Sequence, residues 1–175
     1  MTTPALERLI RVIPDWPTPG VMFQDLTGVL ASAEGLAEVS HALAAPFRDA
    51  GIDVVAGMEA RGFIVGTAVA RELGTGFVAL RKAGKLPGAV HSATYELEYG
   101  TATLQVHQAD IAPGSRVLLI DDVLATGGTA AAAVSLVEMC SAHVVGLGVV
   151  MTLEFLSGRD KLSHIQIHSL RSITS

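Results

Sequence analysis

Residues 117–129 read Val-Leu-Leu-Ile-Asp-Asp-Val-Leu-Ala-Thr-Gly-Gly-Thr, and few folds accommodate such a run. Val117 to Ile120 is wholly apolar, the pattern of a strand buried on both faces in a parallel sheet. The strand runs into Asp121 and Asp122, a loop of small residues follows, and Gly127-Gly128 opens an Ala-rich helix ending near Ser141. In an open α/β sheet, ligands bind beyond the carboxyl ends of the strands, which is where this loop lies. The two glycines let backbone N–H groups approach a ligand with no Cβ in the way, and the helix N-terminus adds free donors and partial positive charge. With the hydroxyls of Thr126 and Thr129, Ala125 to Thr129 make a phosphate cradle. Adjacent carboxylates oppose a phosphate but suit vicinal hydroxyls or a bound Mg²⁺. The run therefore predicts a sugar-phosphate site, with the diol on the acids and the phosphate on the loop. The bland alternative is a helix-capping turn beside two solvated acids. No Gly-Lys-Ser/Thr follows, so triphosphate hydrolysis of the Walker kind is disfavoured.

The rest of the chain repeats the alternation of β-branched apolar runs with Ala-rich helical stretches, which predicts βαβ units and a mostly parallel sheet covered on both faces. Leu6, Leu9, Ile10 and Ile13 fall on one helical face that Pro14 stops, and the proline-rich stretch from Pro14 to Gly20 reads as irregular. Leu36, Val39, Leu43 and Phe47 return to helical spacing, with Pro46 ending that helix early. Strands are expected at 53–57, 77–80, 103–107, 117–120 and 144–151, a shorter one at 165–169, and a helix from about Phe63 to Leu73. The polar stretch from Arg81 to Gly100 reads as a long loop or flap. No internal repeat or low-complexity tract interrupts the chain.

Composition narrows the function classes. Half of the 175 residues are apolar and only 17% are charged, enough for a sizeable core and against intrinsic disorder. Lys plus Arg total 12 against 17 acids, a net charge of −5, which disfavours a general nucleic-acid binder. A single cysteine, Cys140, excludes an internal disulfide framework and reads as an inert core thiol in a reducing compartment. No apolar run is long enough for a membrane helix, and the N-terminus lacks a secretory pattern, so a cytoplasmic setting with no membrane partner is expected. The six histidines show no ligand spacing.

The 117–129 run closely resembles the phosphoribosyl-diphosphate (PRPP) motif of type I phosphoribosyltransferases. Pro14-Asp-Trp-Pro-Thr-Pro-Gly-Val-Met-Phe-Gln-Asp25, Gly57-Met-Glu-Ala-Arg-Gly-Phe63, Arg81-Lys-Ala-Gly-Lys-Leu-Pro-Gly88, Tyr95-Glu-Leu-Glu-Tyr-Gly100 and Leu156-Ser-Gly-Arg-Asp-Lys-Leu162 resemble the adenine phosphoribosyltransferase family, in that family's order. The resemblance covers nearly the whole chain, and the proline and Tyr-Glu-Leu-Glu-Tyr-Gly segments are its most specific parts. It implies one α/β domain over residues 1–175 with the type I phosphoribosyltransferase fold: a mostly parallel central sheet, helices on both faces, a small hood and a flap. The hood would come from about residues 1–34 and the C-terminal segment, and the flap from about 81–100.

The activity implied is purine salvage: transfer of 5-phosphoribosyl from PRPP to N9 of adenine, yielding AMP and pyrophosphate, with substrate-associated Mg²⁺ and a homodimeric assembly. By resemblance, Glu59, Ala60 and Arg61 form the diphosphate loop, and Arg81, Lys82 and Lys85 reach the same group, the alternative being that the basic side chains are ordinary surface charges. Ala125, Thr126, Gly127, Gly128, Thr129 and Tyr99 join the PRPP- and AMP-binding set. Arg61, Asp121, Asp122 and Glu98 carry the catalytic assignments, with Asp121 and Asp122 also candidate Mg²⁺ ligands. Glu98 is either a proton relay to the base or the partner of a flap lysine. Phe23 and Leu153 would sandwich adenine, with the backbone at Met22 and Gln24 reading its edge, and Trp16 would pack the proline segment on the core.

Two positions depart from the family pattern. Gln24 stands where Arg or Lys is usual, and Thr152 where an acid commonly precedes the Leu, as though one ion pair were lost on both sides. Two other readings share the fold: a transferase for hypoxanthine, guanine or xanthine, and a PRPP-sensing regulator that binds nucleic acid. The regulator is disfavoured by the lack of a basic tail or an added DNA-binding module.

Overall fold

The computed structural model describes residues 3–96 and 100–174. Helix α1 (Pro4–Leu9) is capped by the Thr3 hydroxyl, and the chain turns extended at Ile10. Strands β1 (Arg11–Pro14) and β2 (Met22–Asp25) form a separate antiparallel hairpin. Helices α2 (Thr27–Leu30) and α3 (Ala33–Ala44) follow, then β3 (Val54–Met58), α4 (Arg61–Leu73) and β4 (Gly76–Lys82). Strands β5 (Val90–Glu96), β6 (Thr101–His107) and β7 (Arg116–Leu124) lead to α5 (Gly128–Met139), β8 (His143–Leu153) and β9 (Ile167–Ile173).

The main sheet has the order β5-β6-β4-β3-β7-β8-β9. Its β4-β3-β7-β8-β9 portion is parallel, and β5 and β6 add an antiparallel edge. Alternation along β7 sends Val117 and Leu119 into the core layer beneath α5, and Leu118 and Ile120 into the layer beneath α3 and α4. Both layers are buried, which is why β7 reads as an unbroken apolar run rather than as alternation.

Five expectations change. The helical face that included Ile10 and Ile13 ends at Leu9, because Arg11 to Pro14 pair with Asp25 to Met22 instead. Arg11 lies opposite Asp25 and ion-pairs with it at 2.8 Å, a distant partner that local periodicity does not reveal. The stretch from 81 to 100 is not all loop, since Val90 to Glu96 pairs residue for residue with His107 to Thr101. Strand β7 continues through Asp121 and Asp122 to Leu124, and the last strand lies at 167–173 rather than 165–169. Trp16 does not reach the core: it is 51% exposed, and its ring meets Phe23 edge-on at 4.3 Å between centroids.

Candidate active site

Strands β3 and β7 lie side by side, but the chain leaves β3 for β4 on one side and β7 for β8 on the other. The connections after them run through α4 and α5 on opposite faces, which leaves a crevice at the strands' carboxyl ends. The loops at this crevice carry Glu59 to Arg61 after β3 and Ala125 to Thr129 after β7.

The first turn of α4 comes close to β7 because residue 62 is glycine. A Cβ there would sit 2.9 Å from Asp121 Oδ1 and 3.0 Å from the Ile120 carbonyl oxygen. This approach brings Arg61 Nε within 2.5 Å of Asp122 Oδ2. The contact compensates charge, yet that buried oxygen has no hydrogen-bond partner among the described residues. Asp121 Oδ1 accepts the Asp122 N–H at 2.9 Å. Burial, reinforced by the neighbouring Asp122 charge, pushes the Asp121 carboxyl well above the usual carboxylate range. A hydroxyl donor or a cation arriving with a ligand would offset that cost.

Glu59 anchors the opposite side. Its carboxylate accepts the Lys82 N–H at 2.8 Å and lies 3.4 Å from Arg81 Nε. The Lys82 N–H first, and Arg81 second, hold it below the ordinary glutamate range. The Arg81 guanidinium also lies over the Phe63 ring, 5.9 Å from its centroid. Lys82 and Lys85 are exposed beyond it, and the Glu59–Ala60 peptide is cis.

Beyond β7, a cavity of about 60 Å³ is lined by Asp121 and by every residue from Val123 to Ala130. Gly127 is the N-cap of α5, with φ +77° and no side-chain cap, so the first-turn N–H groups keep their donors for a ligand. A larger cleft of about 300 Å³ opens beside it, lined by Gly20 to Gln24 of the hairpin, Arg61, Val123, Met151, Leu153, Phe155 and Ile173. Val123 belongs to both, so the two spaces share a wall.

The expected residues thus gather closely. Met22, Phe23, Gln24, Leu153 and Arg61 meet in the larger cleft, and Asp121 with Ala125 to Thr129 in the smaller. Arg81 and Lys82 reach the Glu59 loop, while Lys85 sits on the exposed turn after β4. Glu98 and Tyr99 lie outside the described residues. Sequence reasoning missed Val21, Val123, Met151, Phe155 and Ile173, apolar residues whose exposure to a cleft depends on the hairpin overhanging the strand ends.

The two departures are not hydrogen-bonded to each other. Gln24 Nε2 donates weakly to the Met22 carbonyl at 3.4 Å, leaving its buried Oε1 without a partner among the described residues. The fully buried Thr152 donates to Ser169 Oγ at 3.0 Å and receives Arg159 Nη2 at 3.4 Å.

Adjacent carboxylates near the carboxyl end of β7, one oxygen lacking a hydrogen bond, fit a hard cation that is shared with a phosphate ligand. No group of three His, Cys, Asp or Glu among the described residues could enclose a metal unaided.

Comparison with known proteins gives a consistent picture. Residues 26–172 match the phosphoribosyl transferase domain. An adenine phosphoribosyltransferase of Thermobifida fusca is 51% identical over 168 residues, covering 96% of each chain. The crystal structure of adenine phosphoribosyltransferase from Thermoanaerobacter pseudethanolicus superimposes with TM-score 0.91 at 42% identity, covering 96% of this chain and 98% of that one. The Saccharomyces cerevisiae enzyme, complexed with an imino-altritol bisphosphate and adenine, gives TM-score 0.89 at 39% identity, over 94% and 96% of the two chains.

Proposed function

The chain belongs to the phosphoribosyl transferase family, alongside the adenine phosphoribosyltransferases, and on that premise we propose how its residues divide the work. The reaction is transfer of 5-phosphoribosyl from PRPP to adenine, giving AMP and pyrophosphate in purine salvage. The observation that carries the assignment of parts is the shared wall at Val123: an apolar cleft for a flat base lies directly beside a donor-rich cavity for a phosphate.

In this reading the N–H groups and hydroxyls of Ala125 to Thr129 hold the 5-phosphate. Asp121 and Asp122 take the ribose hydroxyls, and Glu59 to Arg61 with Arg81, Lys82 and Lys85 hold the diphosphate. Phe23 and Leu153 enclose the adenine ring while the backbone of Met22 and Gln24 reads its edge. As the bond between C1 and the diphosphate oxygen breaks, C1 gains oxocarbenium character, which the nearby carboxylates favour, and Arg61 neutralises the leaving charge. Adenine N9 then bonds to C1 and gives up its proton, for which Glu98 is the assigned relay. Mg²⁺ bound with PRPP, on Asp121 and Asp122, would supply further charge neutralisation for the pyrophosphate.

A homodimer belongs to the same reading, supported by exposed apolar side chains away from the clefts, such as Ile64 at 49%. So does a cytoplasmic setting, which accords with the buried free thiol of Cys140. No helix among the described residues is long and apolar enough to cross a membrane.

Competition binding tests the division of the two spaces. AMP should displace both adenine and ribose 5-phosphate, whereas those two should not displace one another. Mutual exclusion of adenine and ribose 5-phosphate would contradict it.

A further inference from the structure

The segment Leu156-Ser-Gly-Arg-Asp-Lys-Leu162 has no role in the chemistry above, yet it lies directly against the phosphate loop. A Cβ built on Gly158 would stand 2.0 Å from the Ala125 carbonyl oxygen and 2.8 Å from the Gly127 nitrogen. Reciprocally, a Cβ on Gly127 would stand 2.4 Å from the Gly158 carbonyl oxygen. All the atoms facing these positions are backbone, so no flexible side chain could yield. Gly158 is absent from the residues with positive φ, unlike Gly127. Its glycine is therefore required by the close contact and not by a left-handed turn.

The same segment is fixed on both sides of this contact. Upstream, Leu153 and Phe155 line the larger cleft. Glu154 receives Arg159 Nε at 3.2 Å on each carboxylate oxygen and Ser172 Oγ at 2.8 Å. Arg159 also reaches the buried Thr152 hydroxyl. Downstream, Leu162 is buried in the core layer beneath α5, the helix that the phosphate loop opens.

We propose that residues 153–162 act as a strap that sets the position of the phosphate loop from behind, with Gly158 as its positioning residue. The Glu154–Arg159 clip holds the strap at the height where Gly158 meets Ala125 and Gly127. A methyl group at 158 forces the loop away by displacing its backbone, and the N–H donors aimed at the phosphate move with it. Because the strap begins in the wall of the larger cleft, it also joins the base end of the site to the phosphate end through a single piece of chain. The inference rests on Ala125 to Thr129 being the 5-phosphate loop.

Calorimetric binding of ribose 5-phosphate and of pyrophosphate with Mg²⁺, to wild type, Gly158→Ala and Arg159→Gln, tests it. Gly158→Ala should weaken ribose 5-phosphate at least tenfold and leave pyrophosphate within about twofold, since the diphosphate loop lies across the crevice. Arg159→Gln keeps the glycine but opens the clip, and should weaken ribose 5-phosphate about three- to tenfold with the same selectivity. It decides the matter alone if Gly158→Ala does not fold. Unchanged ribose 5-phosphate binding in the folded variants overturns the strap, as does equal loss of both ligands. A Thr129→Val control separates the premise: if wild type binds ribose 5-phosphate and Thr129→Val leaves it untouched, the loop assignment fails instead.

Discussion

Removing Arg61 should separate its two tasks, structural and chemical. The guanidinium Nε lies 2.5 Å from Asp122 Oδ2, with side-chain exposures of 39% and 9%. Breaking a fully buried ion pair costs about 3–5 kcal/mol, mostly by stranding the remaining charge, whereas an exposed pair is worth about 0–1 kcal/mol. Arg61 is more than one-third exposed, so water can partly replace it, and Arg61→Ala should cost roughly 1–3 kcal/mol. For a domain of this size, each kcal/mol lowers Tm by about 2–4 °C. The loss arises from a stranded carboxylate, so adding Asp122→Asn should restore most of it. Pyrophosphate binding should not return, because a lost charge-assisted hydrogen bond weakens affinity by about 1.5–3 kcal/mol, roughly 10- to 150-fold, whatever stands at 122. Denaturant unfolding and calorimetry on wild type, both single variants and the double variant read the two effects separately. If the double variant is no more stable than Arg61→Ala, the stranded-charge argument is wrong. If adenine and pyrophosphate weaken equally in Arg61→Ala, its assignment to the diphosphate is wrong.

Other expectations follow from the same geometry. Asp25 is held below the ordinary carboxylate range by the Thr27 hydroxyl and then the Thr27 N–H, with Arg11 helping, and Glu59 is lowered as described. Groups lowered in this way contribute stability above their unfolded pKa and lose it as pH falls through the folded value, so Tm should drop on acidification. Asp25→Asn and Glu59→Gln should each flatten that acid limb, and curves parallel to wild type would refute the attribution. Asp121 carries the opposite sign: its raised pKa favours the folded state at low pH and the benefit fades as pH rises. Asp121→Asn should therefore raise Tm at neutral pH while sharply lowering turnover, and a lowered Tm there would contradict the burial argument. In the flap, hydrogen exchange should find the exposed turn at 85–89 fast and newly protected with PRPP, because a site must admit substrate and then exclude water. The amide at Ala93, in the paired and buried part of β5, should stay protected throughout, and PRPP-independent exchange across the turn would rule out closure.

The central parallel strands β3, β7 and β8 were legible because both of their faces are largely buried. Val117 to Ile120 needs no partner to announce itself, and Gly127-Gly128 marks the helix start by chemistry that local sequence carries. The edges were illegible for the converse reason. Residues 11–14 are all exposed and are strand only because residues 22–25 return to pair with them. Val90 to Glu96 is mostly polar, and its pairing with β6 depends on a turn that composition reads as loop. Within the site, charged residues and glycines were foreseeable by type, and Met22, Phe23, Gln24 and Leu153 by resemblance. Val123, Met151 and Ile173 were not, since an apolar residue at the end of a buried strand looks like core until a hairpin is found overhanging it. Gln24 and Thr152 read as the two sides of a lost ion pair, and the partners Thr152 takes, Ser169 and Arg159, lie 17 and seven residues away where no local pattern encodes them.

The most direct measurement is a single reaction containing the protein, PRPP and Mg²⁺ with equimolar adenine, hypoxanthine, guanine and xanthine, its nucleotides separated by mass. Two spaces sharing the Val123 wall, the larger of them proposed to hold a base whose edge the Met22 and Gln24 backbone reads, predict AMP as the dominant product with pyrophosphate formed in equal amount. Comparable amounts of any other purine nucleotide, or consumption of PRPP without AMP, would contradict the account.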